Sequence, residues 1–323
     1  MKATTFACLL FLFGCISCKK EINAPKKASL KKGVYIIGDE PGSIQYTSDM
    51  KTFERITYQS PTFMAARVYF VNDLFYLFDN FNQIFGNQCL FTSEDAITWK
   101  GTKNNNPVQH PNSVIPLQGK WVRLMPGVQT SVSADGTTWQ SYPTPAHMEK
   151  RTWEKYYTKG DTVFMYGGWN QDDYTNFRDT WMSTDGIVWQ ELLATFPPNT
   201  EWPEFSFSSF KGKSYAIASE QTGTGMHGLE TRILVSDDGY HWSKVSTTAP
   251  AWASIQNHRY NNVLFNYKGK MYLGGGIASE AGPSYHDVWS FDGISWQRES
   301  DDISDSFPYG LVQVGDARIV VVE

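Results

Sequence analysis

The chain has 323 residues, a formal net charge of −5 and 15 % aromatic residues. That charge, with no stripe of Lys and Arg, argues against nucleic acid as a partner. Cys8, Cys15 and Cys18 all fall near the start, so Cys89 stands alone in the remainder, which excludes an intrachain disulfide there.

Residues 1–18 read as a targeting segment. Lys2 supplies a positive start, and the apolar run from Phe6 to Ile16 is too short to span a bilayer as a permanent helix. The run ends in Cys15-Ile16-Ser17-Cys18, followed at once by Lys19-Lys20-Glu21. This segment resembles a bacterial lipoprotein signal with Cys18 as the lipidated residue. Leu12-Phe13-Gly14-Cys15 offers a second cleavage frame, and an ordinary secretory signal is the plainer alternative. The resemblance implies a cell-envelope protein, outer-membrane and either periplasmic or surface-exposed, held to its membrane through lipid alone. Residues 19–32, rich in Lys and Ala, read as a flexible tether.

Residues 33–323 carry a repeat. A Ser-x-Asp turn, with Thr47 in the Ser place of the first copy, recurs around Asp49, Asp95, Asp135, Asp185, Asp238 and Asp292, at intervals of 40–54 residues. Each turn is followed by an aromatic residue: Phe53, Trp99, Trp139, Trp189, Trp242 and Trp296. A repeat of this period is a supersecondary unit that buries its apolar face only against a neighbouring copy. The copy from Tyr260 to Glu299 shows four short strand-like runs. They are Val263–Tyr267, Met271–Leu273, Asp287–Phe291 and Ser295–Arg298, separated by hairpin turns and one polar loop. Six such units predict an all-β fold, a six-bladed β-propeller of four-stranded antiparallel blades. Its N- and C-termini are expected to close the ring in one blade. Tyr309–Val314 and Arg318–Val322 read as first and second strands there, Ser43–Tyr46 and Phe53–Ile56 as third and fourth. Val34–Ile37 is one strand too many and competes for the second place. In the turns, Asp accepts backbone N–H groups and Gly takes the positive φ that a Cβ disfavours, so these residues read as structural staples.

The copy at 260–299 resembles the kelch family: Gly274-Gly275-Gly276 closes the second strand, and Trp296 opens the fourth. Val163–Gly168, Asp179-Thr180-Trp181 and Trp189 match nearly as well. The resemblance implies a propeller, and propellers host many unrelated activities. The Ser-x-Asp turns are also similar to the Asp-box of sialidases, with one residue fewer between Asp and Trp. That likeness implies an alternative function, a sialic-acid-processing enzyme (a sialidase or a kelch-type mutarotase). No Phe-Arg-Ile-Pro segment accompanies it, and no catalytic residue is assigned.

In a propeller, the hairpins between first and second strands and between third and fourth strands share one face, and here they are short and stereotyped. The opposite face carries the second-to-third loops and the blade-to-blade connections, which are long and varied, and binding residues concentrate in such loops. Trp169, Tyr174, Arg178, His227, Tyr285 and His258 map to that face. Arg67, Arg151 and Arg259 each stand near the start of a first strand, on alternate blades. They are expected to converge at the channel mouth, where three guanidinium forks suit a carboxylate. Exposed Trp and Tyr among amides suit the ring faces and hydroxyls of a sugar. No His-x-His or His-Glu-x-x-His spacing supports a metal, and no cofactor is expected. The expected protein is a monomeric, non-enzymatic lipoprotein whose long-loop face takes a glycan or a surface protein.

Overall fold

A computed structural model describes residues 30–37, 43–57, 67–79, 89–103, 114–170, 172–198, 200–221, 229–245, 259, 262–276, 285, 287–300 and 319–323. Within them the chain forms six antiparallel sheets of four strands. The first blade is built from both chain ends, in the order β24 (Ile319–Val322), β1 (Gly33–Ile37), β2 (Ser43–Thr47) and β3 (Glu54–Thr57). The second holds β4 (Arg67–Val71), β5 (Leu74–Asp79), β6 (Cys89–Ser93) and β7 (Lys100–Lys103). The third holds β8 (Val114–Leu117), β9 (Lys120–Met125), β10 (Gln129–Ser133) and β11 (Gln140–Pro143). The fourth holds β12 (Lys155–Lys159), β13 (Thr162–Tyr166), β14 (Thr180–Ser183) and β15 (Gln190–Leu192). The fifth holds β16 (Thr200–Phe210), β17 (Lys213–Gln221), β18 (Leu229–Ser236) and β19 (Ser243–Lys244). The sixth holds β20 (Val263–Tyr267), β21 (Lys270–Gly274), β22 (Val288–Phe291) and β23 (Trp296–Ser300).

The closing blade settles the surplus strand. β24 takes the first place and β1 the second, with Gly33 opposite Val322 and Ile36 opposite Ile319. Of the two runs that competed for the second place, Val34–Ile37 takes it and Ile319–Val322 moves to the first; Tyr309–Val314 lies outside the described residues. The reason is burial. Gly33–Ile37 is apolar at both parities, and all five of its residues are buried. An interior strand covered on both faces suits that pattern.

The core is divided among the six junctions between blades. Along β1 the side chains alternate: Val34 and Ile36 pack with Val263, Phe265 and Tyr272 of the sixth blade, while Tyr35 and Ile37 pack with Phe75, Leu77 and Phe91 of the second. The period of two thus sends one strand into two cores. Four other apolar clusters fill the remaining junctions. Each junction also receives one turn aromatic. Trp99, Trp189 and Trp242 are buried in theirs, and Phe53, Trp139 and Trp296 pack against theirs as partly buried residues.

All six turns have one geometry. The Asp Oδ1 accepts the N–H groups two and three residues on: Lys51 and Thr52 at 2.8 Å for Asp49, Thr137 at 2.8 Å and Thr138 at 2.7 Å for Asp135. Asp95, Asp185, Asp238 and Asp292 repeat it. In five turns the Ser or Thr hydroxyl also donates to the Asp. In the sixth, Ser290 donates instead to Glu299 at 2.7 Å. The residue after each Asp has positive φ: Gly in four turns, Met50 and Ala96 (both 62°) in the others. At Gly186 a Cβ would also stand 2.3 Å from Val122 Cγ2 of the third blade, so the turn closes onto its neighbour only without a side chain.

Candidate functional site

The long-loop face is built on loops that leave second strands and on segments that enter first strands. In the fourth blade the two kinds meet. Thr152 and Trp169 exchange backbone hydrogen bonds at 2.9 Å, and Trp169 bridges in turn to Asn176. Asn170 N–H donates to the Thr175 carbonyl and Tyr174 N–H to the Asn170 carbonyl, each at 2.9 Å. Asn170 Oδ1 accepts Asp172 N–H at 2.9 Å, and Asp173 Oδ1 accepts Thr175 N–H at 3.0 Å. The loop is therefore a fixed small hairpin tied to the connection that precedes β12.

Trp169 and Tyr174 of this hairpin form a row of three aromatic rings with Trp153 of the preceding connection. The Trp153 and Trp169 centroids are 5.6 Å apart, and those of Trp169 and Tyr174 5.5 Å apart. Trp153 is 64 % exposed and Tyr174 73 % exposed. Both hold a φ of 62°. A left-handed backbone costs an L-residue roughly 1–2 kcal/mol, and such outliers gather at functional sites. Leaving two large rings in water forgoes the stabilisation that burial gives. Trp169 Nε1 is a buried donor with no hydrogen-bond partner. Arg178 is exposed further along the same segment.

Arg151 and Arg259 each find partners within their own blade. Arg151 donates from NH1 to the carbonyl of Gly167 at 3.1 Å and forms an ion pair with Asp179; Phe177 lies over its guanidinium at 3.9 Å. Arg259 repeats every part: Gly275 carbonyl at 2.9 Å, Asp287 at 2.5 Å, and Tyr285 over the guanidinium at 4.2 Å. In both cases the carbonyl is 16 residues on and the carboxylate 28. The second carboxylate oxygen accepts an indole N–H, from Trp181 at 2.6 Å and from Trp289 at 2.8 Å. Both arginine side chains are 1 % exposed. The glycine pair makes this possible. Gly168 has φ 107°, and a Cβ there would stand 2.9 Å from Arg151 Cδ, so the arginine stem runs where a side chain would be. Burial lowers the pKa of Arg259, which Asp287 partly offsets, and burial raises that of Tyr285.

Arg67 is not a third copy. It opens β4 opposite Phe78, which places it level with Lys155 and Val263, four residues later in the repeat than Arg151 and Arg259. Its NH1 donates to the Tyr69 hydroxyl at 3.3 Å, and that hydroxyl donates to the Val114 carbonyl of the third blade. Asp179 and Asp287 each already take one guanidinium nitrogen of two of the three arginines that the expected convergence on a carboxylate needs.

Tyr156 is buried between the third and fourth blades and donates to Glu154 at 2.9 Å. Burial, then the Glu154 charge, raises its pKa well above the usual phenol value, against the opposing charges of Arg67 and Arg151. It is a protonated donor at neutral pH. The His147 ring lies tilted against Trp181, with centroids 4.9 Å apart, and its Nε2 lies 3.5 Å from Glu191. His227, His258 and Cys18 lie outside the described residues. Among the described residues no three His, Cys, Asp or Glu side chains gather as a metal site.

Two features were missed in the sequence. Asp179 and Asp287 were visible as an Asp-x-Trp motif at a constant distance from an arginine. Trp153 was one of several loop tryptophans, and only the Thr152–Trp169 bridge brings it to Trp169 and Tyr174. No model of a known protein family matches this chain, and no curated protein matches it in sequence.

Proposed function

We propose that this protein is a non-catalytic, lipid-anchored envelope protein that binds a glycan at the Trp153–Trp169–Tyr174 row. The row is the observation that carries the reading. A pyranose presents C–H groups on one face and hydroxyls at its rim, so it stacks on an aromatic ring while amides and carboxylates bind the rim. Asn170, Asp172, Asp173 and Asn176 border the rings on the same hairpin. The enzymatic alternative has less support: two of the arginines are ion-paired within their own blades, and the buried phenol of Tyr156 is held protonated.

A glycan array probed with the chain from residue 19 onward tests this. A defined subset of glycans should bind, Trp153→Ala and Tyr174→Ala should abolish binding at unchanged melting temperature, and bound glycans should be recovered uncleaved. An array with no signal, or variants that bind like the parent, would overturn it.

A further inference from the structure

The chain enters the propeller on the turn face. Gly33 opens β1 opposite Val322, at the end of the C-terminal strand, and Glu323 beyond it accepts from the Lys268 N–H in the first hairpin of the sixth blade. The entry is fastened there. The Lys31 carbonyl accepts the Tyr35 hydroxyl at 2.8 Å and the Lys32 carbonyl the Tyr46 hydroxyl at 2.7 Å. Lys31 also pairs with Glu54, just after the first Asp turn, and Leu30 packs on the junction between the first and second blades. The chain is thus held from Leu30 onward, at one edge of one face, and the aromatic row lies on the opposite face.

We infer that the turn face lies against the bilayer that carries the anchor, so that the aromatic row points away from the membrane. The inference rests on the lipoprotein reading of Cys18. Between Lys19 and Ser29 only eleven residues remain. At the roughly 3.3–3.6 Å that a residue can span, eleven residues reach no further than about 36–40 Å. The segment carries Lys19, Lys20, Lys26 and Lys27 against Glu21, and Lys31 and Lys32 continue the charge. Anionic headgroups attract such a run and keep it at the surface, which shortens the leash further. The face it leaves from suits contact with lipid. Ile97, Val188 and Ile294 stand exposed by 37 %, 69 % and 77 % in turns of the second, fourth and sixth blades. Lysines 159, 211 and 268 stand at the first hairpins of three blades.

The test uses full-length lipidated protein, isolated from bacterial membranes and placed in phosphatidylethanolamine–phosphatidylglycerol vesicles carrying a headgroup quencher. In a Cys89→Ala background, one fluorophore is attached at Thr138→Cys in the third-blade turn, or at Val128→Cys in the β9–β10 loop of the opposite face. The Thr138 site should lose most of its fluorescence and the Val128 site little. Equal quenching, or the reverse order, in protein that floats with the vesicles would overturn the orientation alone. Protein that carries no lipid and does not float would overturn the lipoprotein reading and the orientation with it.

Discussion

Lys268 Nζ lies 2.9 Å from the carbonyl oxygen of Ser48, 220 residues away in the chain. The contact joins the first hairpin of the sixth blade to the Asp turn of the first, where the ring closes. The Tyr267 hydroxyl donates to the same carbonyl at 2.9 Å. The arrangement recurs around the ring. Gln118 Nε2 donates to the Thr184 carbonyl at 3.1 Å, Lys211 Nζ to the Asp292 carbonyl at 2.6 Å, and Lys159 Nζ to the Asp237 carbonyl. In each case a first hairpin holds the Asp turn of the next blade. The turn aspartates therefore order a backbone loop that two blades share, which explains their recurrence without any role in a ligand site.

Removing a staple should lower stability and leave ligand binding intact in the protein that remains folded. Trp242 is 6 % exposed and packs among Tyr157, Phe207 and Phe196. Trp242→Ala should cost roughly 3–5 kcal/mol and Asp238→Ala about 1 kcal/mol, read from urea unfolding. Loss of binding at unchanged stability would place function on the wrong face.

Gly186→Ala should cost about 2–4 kcal/mol, which combines a left-handed alanine with overpacking against Val122. Val122→Ala in the same chain should restore part of it, because the nearest clash is with the valine methyl groups. A neutral Gly186→Ala would refute the close approach of the third and fourth blades.

The turn carboxylates predict acid sensitivity. Thr52 backbone and side-chain donors hold Asp49 below the usual carboxylate pKa, and the Thr138 N–H does so for Asp135. For Asp95 and Asp185 partial burial pushes upward, and the N–H groups of Thr98 and Val188 lead the donors that outweigh it. A carboxylate whose pKa is lower folded than unfolded stabilises the fold above the unfolded value, about 3.9, and loses that contribution as pH falls through the folded value. The urea midpoint should thus hold from pH 7 to about 5 and fall below about 4. Asp135→Asn should flatten the fall. A midpoint level down to about pH 2.5 would contradict it.

The buried pairs give a coupled prediction. Arg151→Ala leaves Asp179 in a site built for a cation and should cost about 3–5 kcal/mol. Arg151→Met with Asp179→Asn removes both charges and should cost clearly less than the two single changes summed, as a double-mutant cycle in urea would show.

What the sequence disclosed follows from the range of the interactions. The Asp turn is local: its donors lie two and three residues from the acceptor, so all six copies were legible, and the six-bladed ring with them. That both termini share the closing blade was legible too, but β24 and β1 are both short apolar runs, and only pairing across the whole chain ranks them. Arg151 and Arg259 were found, but their carboxylate partners lie 28 residues on, beyond the range of a local motif. Arg67 shares with them a place near a strand start, but it stands four residues nearer its hairpin. The row was half legible. Trp169 and Tyr174 share one loop, whereas Trp153 arrives on another segment.

Tyr174 offers the sharpest division between stability and function. Its ring is 73 % exposed, so little packing is lost with it, while its φ of 62° disfavours any large side chain. Asn tolerates that region far better than Tyr. Tyr174→Asn should therefore be neutral or stabilising by up to about 1 kcal/mol. The same change removes one end of the aromatic row and should abolish glycan binding. A rise in melting temperature together with loss of binding is the signature of backbone strain retained for a ligand. Unchanged binding in Tyr174→Asn would mean that the strain serves the hairpin alone, and a loss of stability above about 1 kcal/mol would mean that the ring is a structural contact with Trp169.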